Sequence, residues 1–324
     1  MDIVVLDGYV LNPGDLSWEP LQALGNVQVH DRTTPENILE RIGHAEVVMV
    51  NKTPVDVHTI YRVQDTLKYI GVLATGYNNV DVQAARECGI MVCNVPAYGA
   101  DSVAQHTFAL LLELTNAVGR HSAAVRNGDW AASRDWSFTR APMVELAGLR
   151  LGIVGYGDIG RRVAEIGRAF GMEVVAAESS RQTLPLPPPG EGGEIPRMQL
   201  HELLATCDVV SLHCPLTEAN KGMVDRRLLG LMKPTAILIN TARGGLIVEK
   251  DLAMALERGT IAAAALDVLG QEPPTGENPL TRARNCIVTP HLAWATLAAR
   301  KRLMEIAAEN VRLFVAGTPQ NVIN

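Results

Sequence analysis

Three polar residues with complementary chemistry each follow an apolar run of the sequence. Arg243 follows the run AILINTA, Glu272 follows AAALDVLGQ, and His291 follows NCIVTP. An arginine presents a planar fork to a carboxylate, and a histidine exchanges a proton near neutral pH. Arg243 would therefore bind the carboxylate of a 2-keto acid and polarise its carbonyl. His291 would act as the acid or base, and Glu272 would orient and tune its imidazole.

Each of these residues alone also has a structural interpretation. Arg243 stands before Gly-Gly and could tie down a loop, Glu272 could be a solvated loop carboxylate, and His291 could cap a helix. Because the carboxyl ends of parallel strands meet at one edge of a sheet, three such strand ends can bring their side chains together. That convergence favours the catalytic interpretation.

The glycine-rich segment GYGDIG predicts a dinucleotide site, because a strand-like run precedes it and a helical pattern follows. Gly155 allows a tight turn, Gly157 lets the backbone approach a pyrophosphate, and Gly160 lets the helix pack on the strand. Glu178 follows at the end of the next strand, where a carboxylate accepts hydrogen bonds from ribose hydroxyls and favours NAD. Arg181 is close enough in sequence to accommodate the additional phosphate of NADP, so the choice of cofactor stays open.

Apolar runs alternate with helical patterns along the whole chain, which predicts an α/β fold with mostly parallel sheets. Eleven runs read as strands, which is more than one sheet comfortably holds and predicts two domains. The runs are DIVVLDG, VQVHDR, AEVVMVN, KYIGVLA, IMVCNVP, LRLGIVG, MEVVAAE, DVVSLHC, AILINTA, AAALDVL and NCIVTPH. Helical patterns cover residues 158–170, 225–232, 249–258 and 294–315, and we expect the last to return to the first domain. The proline-rich segment 181–197 predicts an irregular surface loop.

Composition narrows the class of protein. The 324 residues carry a net charge of −6, which argues against nucleic acid or an anionic membrane as a partner. The most apolar window, FALLLEL, contains Glu113, so no membrane-spanning helix is predicted, and the N-terminus lacks the features of a signal peptide. Five scattered cysteines without metal-ligand spacing predict reduced thiols, no metal site and a cytoplasmic location.

The glycine motif with its later acid, together with INTARGG, QEP and TPHLAW, strongly resembles the D-2-hydroxyacid dehydrogenase family. The resemblance runs from Lys68 onward, and the first 65 residues match mainly in their βα pattern. It implies two Rossmann-like domains with mostly parallel sheets and a cleft between them. The flavodoxin-like substrate (catalytic) domain would comprise residues 1–98 plus 291–324, and the dinucleotide-binding domain residues 99–290.

The resemblance also implies the roles of individual residues. Arg243, Glu272 and His291 would be the catalytic residues, and Asp267 would accept a hydrogen bond from the nicotinamide carboxamide. The substrate would contact Ala74, Thr75, Gly76, Arg243 and His291. The cofactor, NAD with NADP as a possibility, would contact Gly155, Tyr156, Gly157, Asp158, Ile159, Gly160, Glu178, His213, Cys214, Pro215, Thr217, Thr241, Ala242 and Asp267.

The segment 128–148 resembles that of the glycerate dehydrogenases, also called hydroxypyruvate reductases. This branch implies reduction of hydroxypyruvate or glyoxylate to D-glycerate or glycolate. Residues 100–148 would form the family's dimerisation region, and Trp130, Trp136 and Phe138 would suit the interface of a homodimer. The same aromatic residues could instead cover a helix of their own domain.

Two other functions remain open at this point. One is a dehydrogenase of the same family that acts on another 2-keto acid, of the phosphoglycerate or D-lactate type. The other is a dinucleotide-sensing protein of the corepressor type that catalyses no reaction.

Overall fold

The computed structural model describes residues 1–178 and 195–324. Arg181 and most of the proline-rich loop predicted over 181–197 lie outside the described residues. The chain divides into two compact units: unit 1 comprises residues 1–99 and 294–324, and unit 2 comprises residues 100–293. The predicted boundaries fall after residues 98 and 290, and in the observed division His291 lies in unit 2.

Unit 1 contains a parallel sheet with the strand order β2-β1-β3-β4-β5. Its central strands β3 and β4 are buried along their whole length, as expected for a parallel sheet covered on both faces. The strands are β1 (Asp2–Val5), β2 (Asn26–Val29), β3 (Val47–Val50), β4 (Tyr69–Val72) and β5 (Met91–Cys93). The helices are α1 (Glu19–Gln22), α2 (Ile38–Ile42), α3 (Val57–Val63), α4 (Val82–Glu87) and, from the end of the chain, α11 (Leu297–Val315).

Residues 294–324 supply polar groups that unit 1 uses internally. The Arg300 guanidinium binds both carboxylate oxygens of Asp15, at 2.7 and 2.6 Å. The buried Asn310 amide donates to the carbonyl oxygen of Asn94 at 2.9 Å. The first 99 residues therefore form unit 1 only together with this late segment.

Unit 2 contains a parallel sheet whose order among the described residues is β12-β11-β10-β9-β6-β7-β8. The strands are β6 (Arg150–Val154), β7 (Glu173–Ala177), β8 (Arg197–Met198), β9 (Val209–Leu212), β10 (Ile237–Asn240), β11 (Ala263–Leu266) and β12 (Cys286–Val288). The helices are α5 (Ala100–Asn116), α6 (Val118–Arg126), α7 (Asp158–Ala169), α8 (Leu200–Thr206), α9 (Arg226–Leu229) and α10 (Glu249–Glu257). The strand order reverses between β6 and β9, where α/β sheets open a crevice for ligands.

The two faces of the unit 2 sheet are covered by different helices. On one face, Phe108 of α5 and Val163 of α7 pack with Ile153 of β6. On the other face, Leu203 of α8 and Leu252 of α10 pack with strand residues of the opposite alternation. The apolar character of both faces explains why the strands read as nearly continuous hydrophobic runs.

The α/β fold class with two parallel sheets is confirmed. All eleven predicted runs overlap a strand, and the structure adds the two-residue strand β8. The last helix begins at Leu297 rather than at residue 294, because the Thr296 side chain accepts from Ala299 N at 3.2 Å and caps it there. Within the described residues, no helix is both long and apolar enough to cross a membrane.

Candidate active site

The glycine turn between β6 and α7 has the geometry that a bound pyrophosphate requires. Gly155 has a φ of +102°, and a Cβ there would lie 2.5 Å from the backbone nitrogen of Cys214. A Cβ on Gly160 would lie 2.2 Å from the Gly155 carbonyl oxygen. At Gly157, by contrast, a Cβ would meet no atom of the described residues within 4 Å. The two outer glycines are thus required by packing, and the middle one leaves space for a diphosphate at the helix N-terminus.

The loop after β9 reaches the same turn, because β9 lies beside β6. His213 N donates to the Val154 carbonyl at 2.7 Å, and its Nε2 lies 2.8 Å from Ser211 Oγ. Burial lowers the pKa of His213 to about 3, so the ring is neutral at neutral pH. Its buried Nδ1 has no hydrogen-bond partner among the described residues. An unpartnered buried nitrogen beside the glycine turn is a second feature that a bound cofactor would satisfy.

The end of β7 carries charges of both signs. The exposed Glu178 carboxylate accepts a hydrogen bond from the Gln199 side chain. The guanidinium groups of Arg161 and Arg197 lie over the Tyr156 ring, 6.0 and 5.4 Å from its centroid. An acid suited to ribose hydroxyls therefore stands in the same region as two cations that would attract a phosphate.

Strands β10, β11 and β12 are neighbours, and the loops after their carboxyl ends carry Arg243, Glu272 and His291. Gly244 lets the first two loops approach closely, since a Cβ there would fall 1.9 Å from the Leu269 carbonyl carbon. Leu269 N in turn donates to Glu272 Oε1 at 2.8 Å. The loop that carries the arginine is thereby packed against the loop that carries the glutamate.

The turn that carries Arg243 is held by the buried Asn240. Its side chain accepts from Ala242 N at 3.0 Å and donates to the Arg243 carbonyl at 2.9 Å. The Arg243 guanidinium donates to the Ala242 carbonyl at 2.7 Å. Thr241 is buried, and its hydroxyl lies 3.2 Å from that of Thr107 on α5. A helix of the same unit therefore supports this strand end.

His291 and Glu272 are in direct contact, with 2.5 Å between Nδ1 and Oε2. Both side chains are partly exposed, at 24% and 33%, so a substrate can reach them. A carboxylate on Nδ1 fixes the tautomer and orientation of the ring and assigns proton exchange to Nε2. His291 has a φ of +51°, a left-handed conformation that costs roughly 1 kcal/mol or more in a residue with a Cβ. Its backbone nitrogen donates to the Asp267 carbonyl at 2.8 Å.

Asp267 anchors the turn that contains His291. Its side chain is 1% exposed, and it accepts from the backbone nitrogens of Leu292 at 2.9 Å and Ala293 at 2.8 Å. Thr289 Oγ1 donates to the same carboxylate at 2.6 Å. Burial raises the pKa of Asp267, but these hydrogen bonds and one from a histidine on α5 outweigh it and hold the pKa below its usual range. The carboxylate is therefore ionised, and its observed partners are the turn that contains His291 and His106 on α5.

The predicted substrate residues of unit 1 form a braced loop after β4. Val95 N donates to the Ala74 carbonyl at 3.0 Å, and Thr75 Oγ1 donates to the Val95 carbonyl at 2.9 Å. Asn94 donates to the Thr75 carbonyl at 2.8 Å. Gly76 follows in the same loop. These bonds tie the loop that begins at the end of β4 to the residues that follow β5.

Within unit 2, His291 contacts Glu272, and the loop that carries Arg243 packs against the loop that carries Glu272. The glycine motif lies beside the loop that begins at His213 and continues through Cys214, Pro215 and Thr217. No sequence pattern marks Gln199 as a site residue, and none assigns a role to His106 or Thr289, which contact Asp267 and each other. The contacts of Gln199 and His106 join residues more than twenty positions apart, which no local pattern reveals. The one available signal was a histidine within the most apolar helical stretch.

Comparisons with known proteins identify the family of the chain. Residues 108–293 match the family described as "D-isomer specific 2-hydroxyacid dehydrogenase, NAD binding domain". The chain is 46% identical over 327 residues to a hydroxypyruvate reductase of Blautia hydrogenotrophica, covering 100% of both chains. It is 42% identical to a glycerate dehydrogenase of Methylorubrum extorquens, covering 90% of this chain and 89% of the other. A solved acyclic imino acid reductase in complex with NADPH and D-Arg superposes with a TM-score of 0.86 at 31% identity, covering 100% of both chains.

The fold and these comparisons thus define a dinucleotide-dependent oxidoreductase. The chain belongs to the D-isomer specific 2-hydroxyacid dehydrogenase family and contains its NAD-binding domain. The predictions of the family, of an enzyme and of a nicotinamide cofactor are confirmed.

Proposed function

We propose that this protein reduces a short 2-keto acid, hydroxypyruvate or glyoxylate, to D-glycerate or glycolate. The observation that carries the proposal is the contact of 2.5 Å between His291 Nδ1 and Glu272 Oε2. The loop that carries Glu272 also packs against the loop that carries Arg243. The names of the two curated relatives, hydroxypyruvate reductase and glycerate dehydrogenase, support this choice of substrate.

Three side chains of this chain would perform the reaction. Arg243 binds the carboxylate of the keto acid with its planar guanidinium and places the carbonyl next to His291. The bound nicotinamide cofactor supplies the hydride. His291 gives the carbonyl oxygen a proton from Nε2, while the Glu272 carboxylate holds Nδ1 and stabilises the charged imidazole. In the reverse direction the same nitrogen removes the proton from the hydroxyl group.

The proposed cofactor contacts lie in unit 2, and the remaining substrate contacts lie in unit 1. Unit 2 would hold the cofactor through its glycine turn, with Thr241, Ala242 and the His213 loop beside it. Unit 1 would contribute Ala74, Thr75 and Gly76 to the substrate carboxylate. The hydrogen bonds that brace this loop support the assignment, because a binding loop that is already ordered loses little entropy when it binds.

NAD is the proposed cofactor, on the evidence of Glu178. Its carboxylate is held by Gln199 at the end of β7, where it would accept from the ribose hydroxyls and repel a 2′-phosphate. Arg161 and Arg197 at the nearby Tyr156 ring would moderate that repulsion. We therefore expect NADH to be preferred and NADPH to be used more slowly.

The protein would act as a homodimer through a surface that we call the arm patch, formed by Val118, Trp130, Trp136 and Met143. These side chains are 62%, 51%, 92% and 57% exposed in the single chain. A groove of about 480 Å³ runs beside them. Contiguous exposed apolar surface of this kind is typical of an interface, and the patch lies in the predicted dimerisation region.

The function is tested by following absorbance at 340 nm with hydroxypyruvate, glyoxylate and pyruvate, each with NADH and with NADPH. Rapid oxidation of NADH with hydroxypyruvate or glyoxylate is the expected result. Turnover with pyruvate alone would move the assignment to a D-lactate type of dehydrogenase. Tight NADH binding without turnover of any keto acid would favour the corepressor type of protein.

A further inference from the structure

Helix α5 braces the sheet edge that carries the catalytic candidates. Two consecutive residues of this helix, His106 and Thr107, point to different strand ends. Thr107 contacts Thr241 after β10, while His106 Nε2 lies 3.1 Å from Thr289 Oγ1 and 3.5 Å from Asp267 Oδ1. His106 is 18% exposed, so these contacts are partly shielded from water.

The direction of the hydrogen bonds around His106 follows from the donors available. Thr289 has one hydroxyl proton and donates it to Asp267 Oδ1 at 2.6 Å. The Thr289 oxygen therefore accepts from His106, which places a proton on His106 Nε2. A chain of hydrogen bonds, in which each donor points the same way, therefore runs from His106 on α5 through Thr289 to the buried Asp267 carboxylate. We call it the His106 line.

The same carboxylate holds the backbone on the far side of His291. Asp267 accepts from the backbone nitrogens of Leu292 and Ala293, and its carbonyl accepts from His291 N. His291 needs this support because its left-handed φ of +51° is unfavourable for a residue with a Cβ. If the anchor weakens, the turn can relax and carry the imidazole away from Glu272.

We propose that His106 is a positioning residue for His291: through Thr289 and Asp267 it fixes the turn in which the catalytic imidazole is presented. This inference rests on the proposed function of His291 as the acid–base group. Loss of His106 should lower kcat about tenfold, because a small displacement of a reacting group has a large effect on rate. Cofactor affinity should change far less than kcat, because the glycine turn and Glu178 do not contact the His106 line and Asp267 itself, the predicted carboxamide acceptor, stays in place.

The test compares His106→Ala and His106→Gln with Gln105→Ala, a matched control at the preceding, exposed position of the same helix. We expect His106→Ala to lower kcat about tenfold and to leave the Kd of NADH within twofold of wild type. Gln105→Ala should match wild type. Glutamine carries an amide donor that can reach Thr289, so His106→Gln should recover most of the rate.

A double-mutant cycle separates positioning from a general loss of packing. Thr289→Val removes the hydroxyl through which His106 reaches Asp267 and leaves only the 3.5 Å approach of His106 Nε2 to Oδ1, so adding His106→Ala to it should lower kcat by much less than tenfold. Two losses that multiply would mean that the residues act independently, and would overturn the proposal. An unchanged kcat in His106→Ala would overturn it as well.

Hydrogen exchange of residues 289–293 provides a readout that needs no substrate. His106→Ala should exchange these amides faster than wild type, while residues 155–165 around the glycine turn keep their rates. If the wild type reduced none of the keto acids, the proposed function would fail, and the exchange rates would still test the hold of His106 on the turn. Equal exchange in variant and wild type would overturn the inference.

Discussion

His291 combines a reactive side chain with a left-handed backbone, so its substitutions affect chemistry and conformation together. Asparagine tolerates positive φ better than alanine does. His291→Asn should therefore keep the turn folded while it removes the acid–base group. We expect kcat to fall by at least about 10²-fold with NADH affinity retained, measured by steady-state kinetics and fluorescence titration. A kcat within tenfold of wild type would remove His291 from the proton transfer.

Arg243 is proposed to bind the carboxylate through two parallel N–H donors. Lysine keeps the positive charge but presents a point charge on a flexible stem. Arg243→Lys should raise the KM of the keto acid at least about tenfold and leave the Kd of NADH unchanged. An unchanged KM would show that the substrate carboxylate binds elsewhere.

His213 should make stability depend on pH. The unfolded ring has a pKa near 6.5, and burial lowers the folded pKa to about 3. Between these values the unfolded chain binds a proton that the folded chain does not, so the free energy of unfolding falls as pH decreases from about 6.5 towards 3. The slope reaches at most about 1.4 kcal/mol per pH unit.

Urea denaturation at pH 7 and at about pH 4.5 measures this dependence. His213→Gln should lose less stability between the two pH values than the wild type does. His44→Gln, at an exposed histidine, is the control and should behave like the wild type. Equal losses in wild type and His213→Gln would mean that the ring is solvated in the folded protein.

Part of the candidate site follows from residue types and part depends on packing. Arg243, Glu272 and His291 were identified because each follows an apolar strand, and parallel strands end at one edge. The role of His106 could not be found in this way, since it depends on the register of α5 against β11 and β12. The hydrogen bond between Gln199 and Glu178 depends in the same way on how β8 aligns with β7.

At the scale of the elements, every described strand that lies in an apolar run was predicted, and the two-residue strand β8 was not. Central strands such as β9 and β10 are entirely apolar or nearly so, because helices cover both faces. Strand β8 has two residues, Arg197 and Met198, and lies at the sheet edge, where no apolar run is required. A two-residue strand leaves too short a pattern for its periodicity to be recognised.

Gly244 and Gly245 are adjacent, but they should tolerate an added side chain to different degrees. A Cβ on Gly244 would lie 1.9 Å from a backbone carbon of Leu269, whereas one on Gly245 would lie 2.8 Å from the flexible end of Leu216. Gly244→Ala should destabilise the protein by about 2 kcal/mol and reduce kcat, because the loops of Arg243 and Glu272 must separate. Gly245→Ala should cost clearly less. Thermal unfolding and steady-state kinetics on both variants check this, and equal effects would contradict it.

The exposed arm patch bears on the association state of the whole molecule. Trp136 is 92% exposed in the single chain and would be covered in a homodimer. Trp136→Asp should shift the protein towards monomer, because a charge would be buried against apolar partner surface. Sedimentation velocity measures the shift. Val315→Asp, at a 61% exposed apolar position outside the arm patch, is the control and should leave the association state unchanged.

Unit 1 is formed by two segments of the chain, residues 1–99 and 294–324, that the ribosome synthesises at different times. The groups that Asn310 and Arg300 bring to the first 99 residues are translated only after the whole of unit 2. At ordinary elongation rates, roughly 200 intervening residues delay them by about 10 to 40 seconds. During that interval unit 2 can fold as it leaves the ribosome, while the earlier segment waits without its last helix. Unit 1 can therefore be completed only after unit 2 has been synthesised, although most of unit 1 is translated first.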